Sequence, residues 1–115
     1  MSTYIIWHNP RCSKSRQTLG ILEEKGVEAE VVKYLEETPS TEEIKEILKK
    51  LNISARELMR TKEDEYKTLG LKDEKDEQKL IEAMAAHPKL IERPIVIKGN
   101  KAVLGRPPEK VLELF

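Results

Sequence analysis

Residues 3–26 read TYIIWHNPRCSKSRQTLGILEEKG, and the order of elements in this stretch sets the kind of fold to expect. Thr3 to Trp7 are β-branched and aromatic, a composition that suits a buried strand, and Asn9-Pro10 ends it in a loop. With Ser13 or Ser15 as its cap, a helical pattern runs through Leu19 and Leu22 to Lys25, where Gly26 supplies the left-handed stop that a helix end favours. Cys12 is thereby placed at or just before a helix N-terminus. Glu28 to Leu35 returns to a strand pattern around Val31-Val32, and the short crossover between the two strands implies parallel pairing. The first third of the chain therefore reads as a βαβ unit.

The pattern then becomes helical and charged. Ser40 and Glu43 form a capping box ahead of Ile44, Ile47, Leu48 and Leu51, which recur at helical spacing. A second box, Ser54 with Glu57, opens a short helix that ends near Arg60. Thr61 to Asp64 start another that runs through Leu69 to Gly70, and a helix beginning near Asp76 carries Leu80, Ile81 and Met84 and stops before Pro88. Near the C-terminus, Pro94-Ile-Val-Ile97 and Lys101-Ala-Val-Leu104 flank Lys98-Gly99-Asn100, the signature of an antiparallel hairpin. Pro107-Pro108-Glu109 then opens a last helix bearing Val111, Leu112, Leu114 and Phe115. The order is βαβ, helices, ββα: an α/β fold with four strands.

At 115 residues the chain has room for one ordinary core. Its 21 lysines and arginines balance 21 aspartates and glutamates, so there is no net field of the kind that draws nucleic acid or an anionic membrane. Any anion site must be local. No apolar run approaches the ~20 residues that span a bilayer, and the sequence predicts neither a transmembrane segment nor a secretory leader. We expect a cytoplasmic protein. With one cysteine the chain forms no internal disulfide and no multi-cysteine zinc site, and His8, His87 and Cys12 lack a zinc spacing, so no metal is expected.

That cysteine has unusual company. A free thiol has a pKa of ~8.5, and a helix N-terminus or a nearby cation lowers it, making thiolate available near neutral pH. Arg11, Lys14 and Arg16 supply cations, and His8 adds a cation or a hydrogen-bond donor if the loop folds its ring back towards sulfur. The same first-turn amides would bind an oxyanion. A cysteine is often only a small buried hydrophobe, but polar, cationic flanks at a strand-to-helix corner favour the reactive reading. A redox pair would put a second cysteine where Ser15 stands, so oxidised Cys12 must be resolved by an external thiol.

Taken together, His8-Asn9-Pro10-Arg11-Cys12, Ser15-Arg16, Arg60, Arg93-Pro94-Ile95-Val96 and Gly105-Arg106-Pro107 resemble, in order and spacing, the glutaredoxin-dependent arsenate reductase family, ArsC, and within it a small branch with HNPRCSKSR and GRPPE. The resemblance implies a thioredoxin-like fold in one domain, residues 1–115, with 1–38 and 89–115 as its core and 39–88 as a helical insertion. It implies Cys12 as nucleophile and Arg60, Arg93 and Arg106 as the arginines that bind arsenate. It places His8 as the residue favouring thiolate, Ser15 and Arg16 in the active-site loop, and Pro94 as a cis proline. It further implies glutathione as co-substrate, glutaredoxin as partner and no bound cofactor. Tetrahedral arsenate matches guanidinium forks, and arginine keeps its charge at working pH. Two other readings share the fold: glutathione-dependent thiol exchange on another substrate, and an Spx-like regulator that binds RNA polymerase. Many such regulators carry a Cys-x-x-Cys switch that Ser15 excludes.

The remaining residues read more plainly. His87 is a helix-end or loop residue, Arg56 a surface charge, Trp7 part of the core or a pocket wall, and Gly70 and Gly105 are turn glycines.

Overall fold

A computed structural model of the chain describes residues 4–115, so Thr3, assigned to the first strand, lies outside the described residues. Four strands, β1 (Tyr4–Trp7), β2 (Glu30–Val32), β3 (Ile95–Lys98) and β4 (Lys101–Leu104), form one sheet in the order β2-β1-β3-β4. β1 runs parallel to β2 and antiparallel to β3, and β3 and β4 form the antiparallel hairpin, with Gly99 at φ +60 in its turn. This is a thioredoxin-like mixed sheet. Helix α1 (Ser13–Glu24) makes the crossover, and Gly26 follows it at φ +75, as a left-handed stop should. On one face Tyr4, Ile6 and Val96 pack against Leu22 of α1 and against Val111 and Leu114 near the C-terminus.

The structure departs from the sequence reading in two of these elements. β2 is only three residues long, because the chain turns at once after it: the amides of Glu36 and Glu37 both donate to the Lys33 carbonyl. The last helix, Pro108–Leu114, is 3-10 rather than α. Its buried residues, Pro108, Val111 and Leu114, recur every third position, and a helix with three residues per turn keeps all of them against the core.

The strand register sets where chemistry can gather. Trp7 stands opposite Val32 on one side and Ile95 on the other, and Ile95 stands opposite Leu104. His8 therefore follows β1, Arg93-Pro94 precede β3, and Gly105-Arg106 follow β4 at one and the same end of the sheet.

The chain divides into two compact units: the sheet unit, which runs through Glu37 and resumes at Arg93–Phe115, and a helical unit, Thr38–Glu92. In the latter, α2 (Thr41–Leu51) and α3 (Ala55–Leu58) start at complete capping boxes, Ser40 with Glu43 and Ser54 with Glu57. α4 spans Asp64–Thr68, and α5 (Glu77–Ala86) is capped by the Asp76 carboxylate, which accepts from the Gln78 amide at 2.9 Å. Helix α5 packs on α2 and α3 around Ile44, Ile47, Leu58, Leu80 and Met84. Arg56 is not the surface charge its sequence suggests: it is half-buried, donating to the Tyr66 hydroxyl and the Glu74 carbonyl, so it ties α3 to the segment before α5. Among the described residues, no helix is long and apolar enough to cross a membrane.

Candidate active site

Cys12 itself occupies the N-cap position of α1, with extended backbone angles of φ −94 and ψ 122. The sequence reading placed Ser13 or Ser15 there, since cysteine is not among the usual capping residues. The loop before it is closed by Asn9, whose carbonyl accepts from the Cys12 amide at 3.0 Å and whose side-chain oxygen accepts from the Arg11 amide at 3.0 Å. The thiol is partly exposed and makes no full side-chain capping bond. Burial pushes its pKa up, but the Ser15 amide, the Arg93 guanidinium and the Lys14 amide together outweigh burial, and the net shift is downward. Arg93, 81 positions away in the chain, thus acts on the sulfur by charge and by hydrogen bond.

His8 and Ser15 are both buried and form a pair. His8 Nδ1 lies 2.7 Å from Ser15 Oγ, which also accepts from the Asn9 amide at 3.0 Å. Because that oxygen accepts from Asn9, its own proton is available to Nδ1, an arrangement that suits a neutral imidazole. Burial lowers the His8 pKa, and the positive charges of Lys33 and Arg16 lower it further. The cationic role raised for His8 is therefore disfavoured here, and the ring's Nδ1 pairs with Ser15 rather than with sulfur. What the pair does is hold the loop and the first turn of α1, whose Ser15 amide serves the thiol.

The other expected residues divide between the units. Arg16 is exposed and donates to the Pro10 carbonyl at 3.2 Å, across the loop that carries Cys12. Arg93 precedes a cis bond to Pro94, and a second cis bond joins Arg106 and Pro107. Arg106 Nη1 lies 3.5 Å from the Arg93 carbonyl, so two guanidinium side chains and the thiol share the end of the sheet unit. Arg60 belongs to the helical unit. Its backbone is pinned there, with its amide donating to the Leu90 carbonyl at 2.7 Å beside a Met59–Ile91 bridge, and its guanidinium pairs with Glu63 at 2.5 Å and Glu92 at 3.5 Å. Among the described residues, no group of three or more His, Cys, Asp or Glu side chains is placed to hold a metal ion.

Two contributors escaped the sequence reading. Lys33 reaches the field of His8 only because β2 pairs with β1, a fact of register with no local signal. Thr18 is fully buried in α1 and donates to the Lys14 carbonyl at 2.8 Å.

Comparison with known proteins places this geometry among relatives. A sequence model of the ArsC family matches residues 7–114. An arsenate reductase of Neisseria meningitidis serogroup B is 54% identical over 108 residues, covering 92% of each chain. YfgD of Escherichia coli K12, a protein described only as uncharacterized, is 58% identical over 111 residues, covering 95% of this chain and 93% of its own. Among solved structures, an arsenate reductase from Vibrio cholerae superposes with a TM-score of 0.95 at 51% identity, covering 97% of both chains.

Proposed function

This chain belongs to the ArsC family, and we propose that it reduces arsenate to arsenite through Cys12, with glutathione as co-substrate and glutaredoxin as partner. The observation that carries the proposal is the convergence of the α1 first-turn amides and Arg93 on one partly exposed sulfur, with Arg106 reaching the Arg93 carbonyl. A thiolate at that position attacks arsenic(V) and displaces one oxygen, which leaves as water after taking up protons. Arg93 and Arg106 neutralise the remaining oxygens, whose charge would otherwise repel the nucleophile. The amides of Lys14 and Ser15 stabilise the attacking sulfur before the reaction.

Glutathione then attacks the thiol-arsenate adduct. Overall, two thiol groups are oxidised to one disulfide, and arsenic accepts the two electrons to become trivalent. Because Ser15 stands where a second cysteine would, no intramolecular disulfide resolves Cys12, and glutaredoxin clears the mixed disulfide by exchange. The resemblance assigns Arg60 to the same anion, and an Arg60→Ala measurement of arsenate KM tests that assignment. A raised KM supports it.

The decisive test is arsenate turnover by the purified protein with glutathione and glutaredoxin, followed as arsenite formed. Turnover that disappears in Cys12→Ser is the expected result. A protein that exchanges thiols with a glutathione mixed disulfide but leaves arsenate untouched would sink the proposal.

A further inference from the structure

Gly105 stands between β4 and Arg106, and its backbone does not adopt the positive φ that would demand glycine. The requirement there is space. A Cβ built on it would lie 2.6 Å from Thr18 Oγ1, 2.8 Å from Pro94 Cγ and 3.1 Å from Thr18 Cγ2. Neither neighbour can yield easily. Thr18 is fully buried, β-branched and tied to the Lys14 carbonyl, while Pro94 is a closed ring seated at the start of β3. The Gly105 amide, in turn, donates to the Pro94 carbonyl at 3.0 Å, which draws the end of β4 onto the turn that carries Arg93.

We propose that Gly105 is a positioning residue: its lack of a side chain lets the end of β4 close against Thr18 of α1 and against Pro94, and so sets where the Arg106 guanidinium meets an oxyanion. The inference rests on the oxyanion reading above and adds a residue that the proposed chemistry does not use. A methyl at 105 must push β4 away from both neighbours, and Arg106, the next residue, moves with it. A guanidinium displaced by even part of an ångström loses the fork geometry on which bidentate binding depends.

The test is protection of Cys12 from iodoacetamide by arsenate, at a pH well above the thiol midpoint so that alkylation reports the anion alone, with a melting curve for each protein. Gly105→Ala should need about tenfold more arsenate, or more, for half-protection than the parent. Thr18→Ala should stay close to the parent in arsenate requirement, whatever its melting temperature. The double variant Gly105→Ala with Thr18→Ala should recover part of the loss, since two of the three close contacts are gone. A folded Gly105→Ala protein protected like the parent overturns the inference, as does a double variant no better than Gly105→Ala. Should Gly105→Ala fail to fold, the double variant is read against Thr18→Ala: the remaining Pro94 contact must still raise its arsenate requirement, and equality overturns the inference. If arsenate does not protect the parent itself, the oxyanion reading falls and this inference with it; protection of the parent with no change in the variants removes this inference alone.

Discussion

Three helices of this protein begin in two different ways. At α2 and α3 a serine hydroxyl accepts from the amide three residues on, and a glutamate returns to the cap amide, so the first turn closes on its own side chains. At α1 the cap is Cys12, the first turn holds no acidic residue, and no side-chain capping bond forms. The amides that Ser40 and Ser54 satisfy in their helices are aimed at a sulfur in α1. The first two arrangements contribute stability, each cap about 1 kcal/mol. The third leaves donors available to whatever negative charge arrives.

Exchanging the two arrangements gives the largest expected effect. Cys12→Ser installs a preferred capping residue at α1, so arsenate turnover should fall by about a thousandfold or more while the melting temperature holds or rises. A melting temperature that falls by several degrees would mean that the thiol, not the cap position, stabilises the helix start. Next in size is Arg93→Ala. It removes both the charge and the hydrogen bond that oppose burial at the thiol, and kcat/KM for arsenate should drop about a hundredfold. The sign for pH follows from the thiolate being the reactive form: alkylation of Cys12 slows as pH falls through its pKa, and in the parent that midpoint lies below that of an ordinary thiol. Arg93→Ala should move the midpoint up, read from iodoacetamide rates against pH.

The capped helices should respond in the opposite way. Ser40→Ala should lower stability by about 1 kcal/mol in urea unfolding and leave the Cys12 alkylation midpoint where it was. The smallest effect belongs to Glu57, whose carboxyl is held below the usual range by the Ser54 amide and hydroxyl. A depressed carboxyl contributes stability that is present above its ordinary pKa and lost as pH falls through its folded value. Glu57→Gln should therefore flatten the acid side of the stability curve slightly, seen as a smaller change in melting temperature between neutral and acidic pH.

The same contrast explains what the sequence discloses. The capping boxes at Ser40 and Ser54 are local patterns, complete within four residues, and they mark α2 and α3 in full. The βαβ start and the closing hairpin are also visible, because strand composition and the Gly99-Asn100 turn are local. By contrast, the cap role of Cys12 is hidden, since cysteine is not among the residues that usually cap a helix. The approach of Arg93 to sulfur depends on β3 lying beside β1, which no neighbour of Arg93 announces; only the family resemblance singled that arginine out. The 3-10 form of the last helix was present as a period of three in Pro108, Val111 and Leu114, but the paired prolines read first as an α start. The Gly105 contact is invisible for another reason. A glycine that serves a turn and one that serves a close approach look alike until the neighbours from α1 and β3 are in place.

Trp7 faces both Val32 and Ile95, so the chain quits the sheet after β2 and rejoins it at β3 on either side of one residue. That opening is two strand spacings wide, about 10 Å. Whatever is spliced into it adds no residue to any strand and shifts no pairing, and the entropy of a longer detour grows only with the logarithm of its length. Evolution can accordingly lengthen, trim or replace the helical segment as a cassette. A single residue added between Trp7 and Cys12 has no such freedom, because it would move the sulfur off the helix cap.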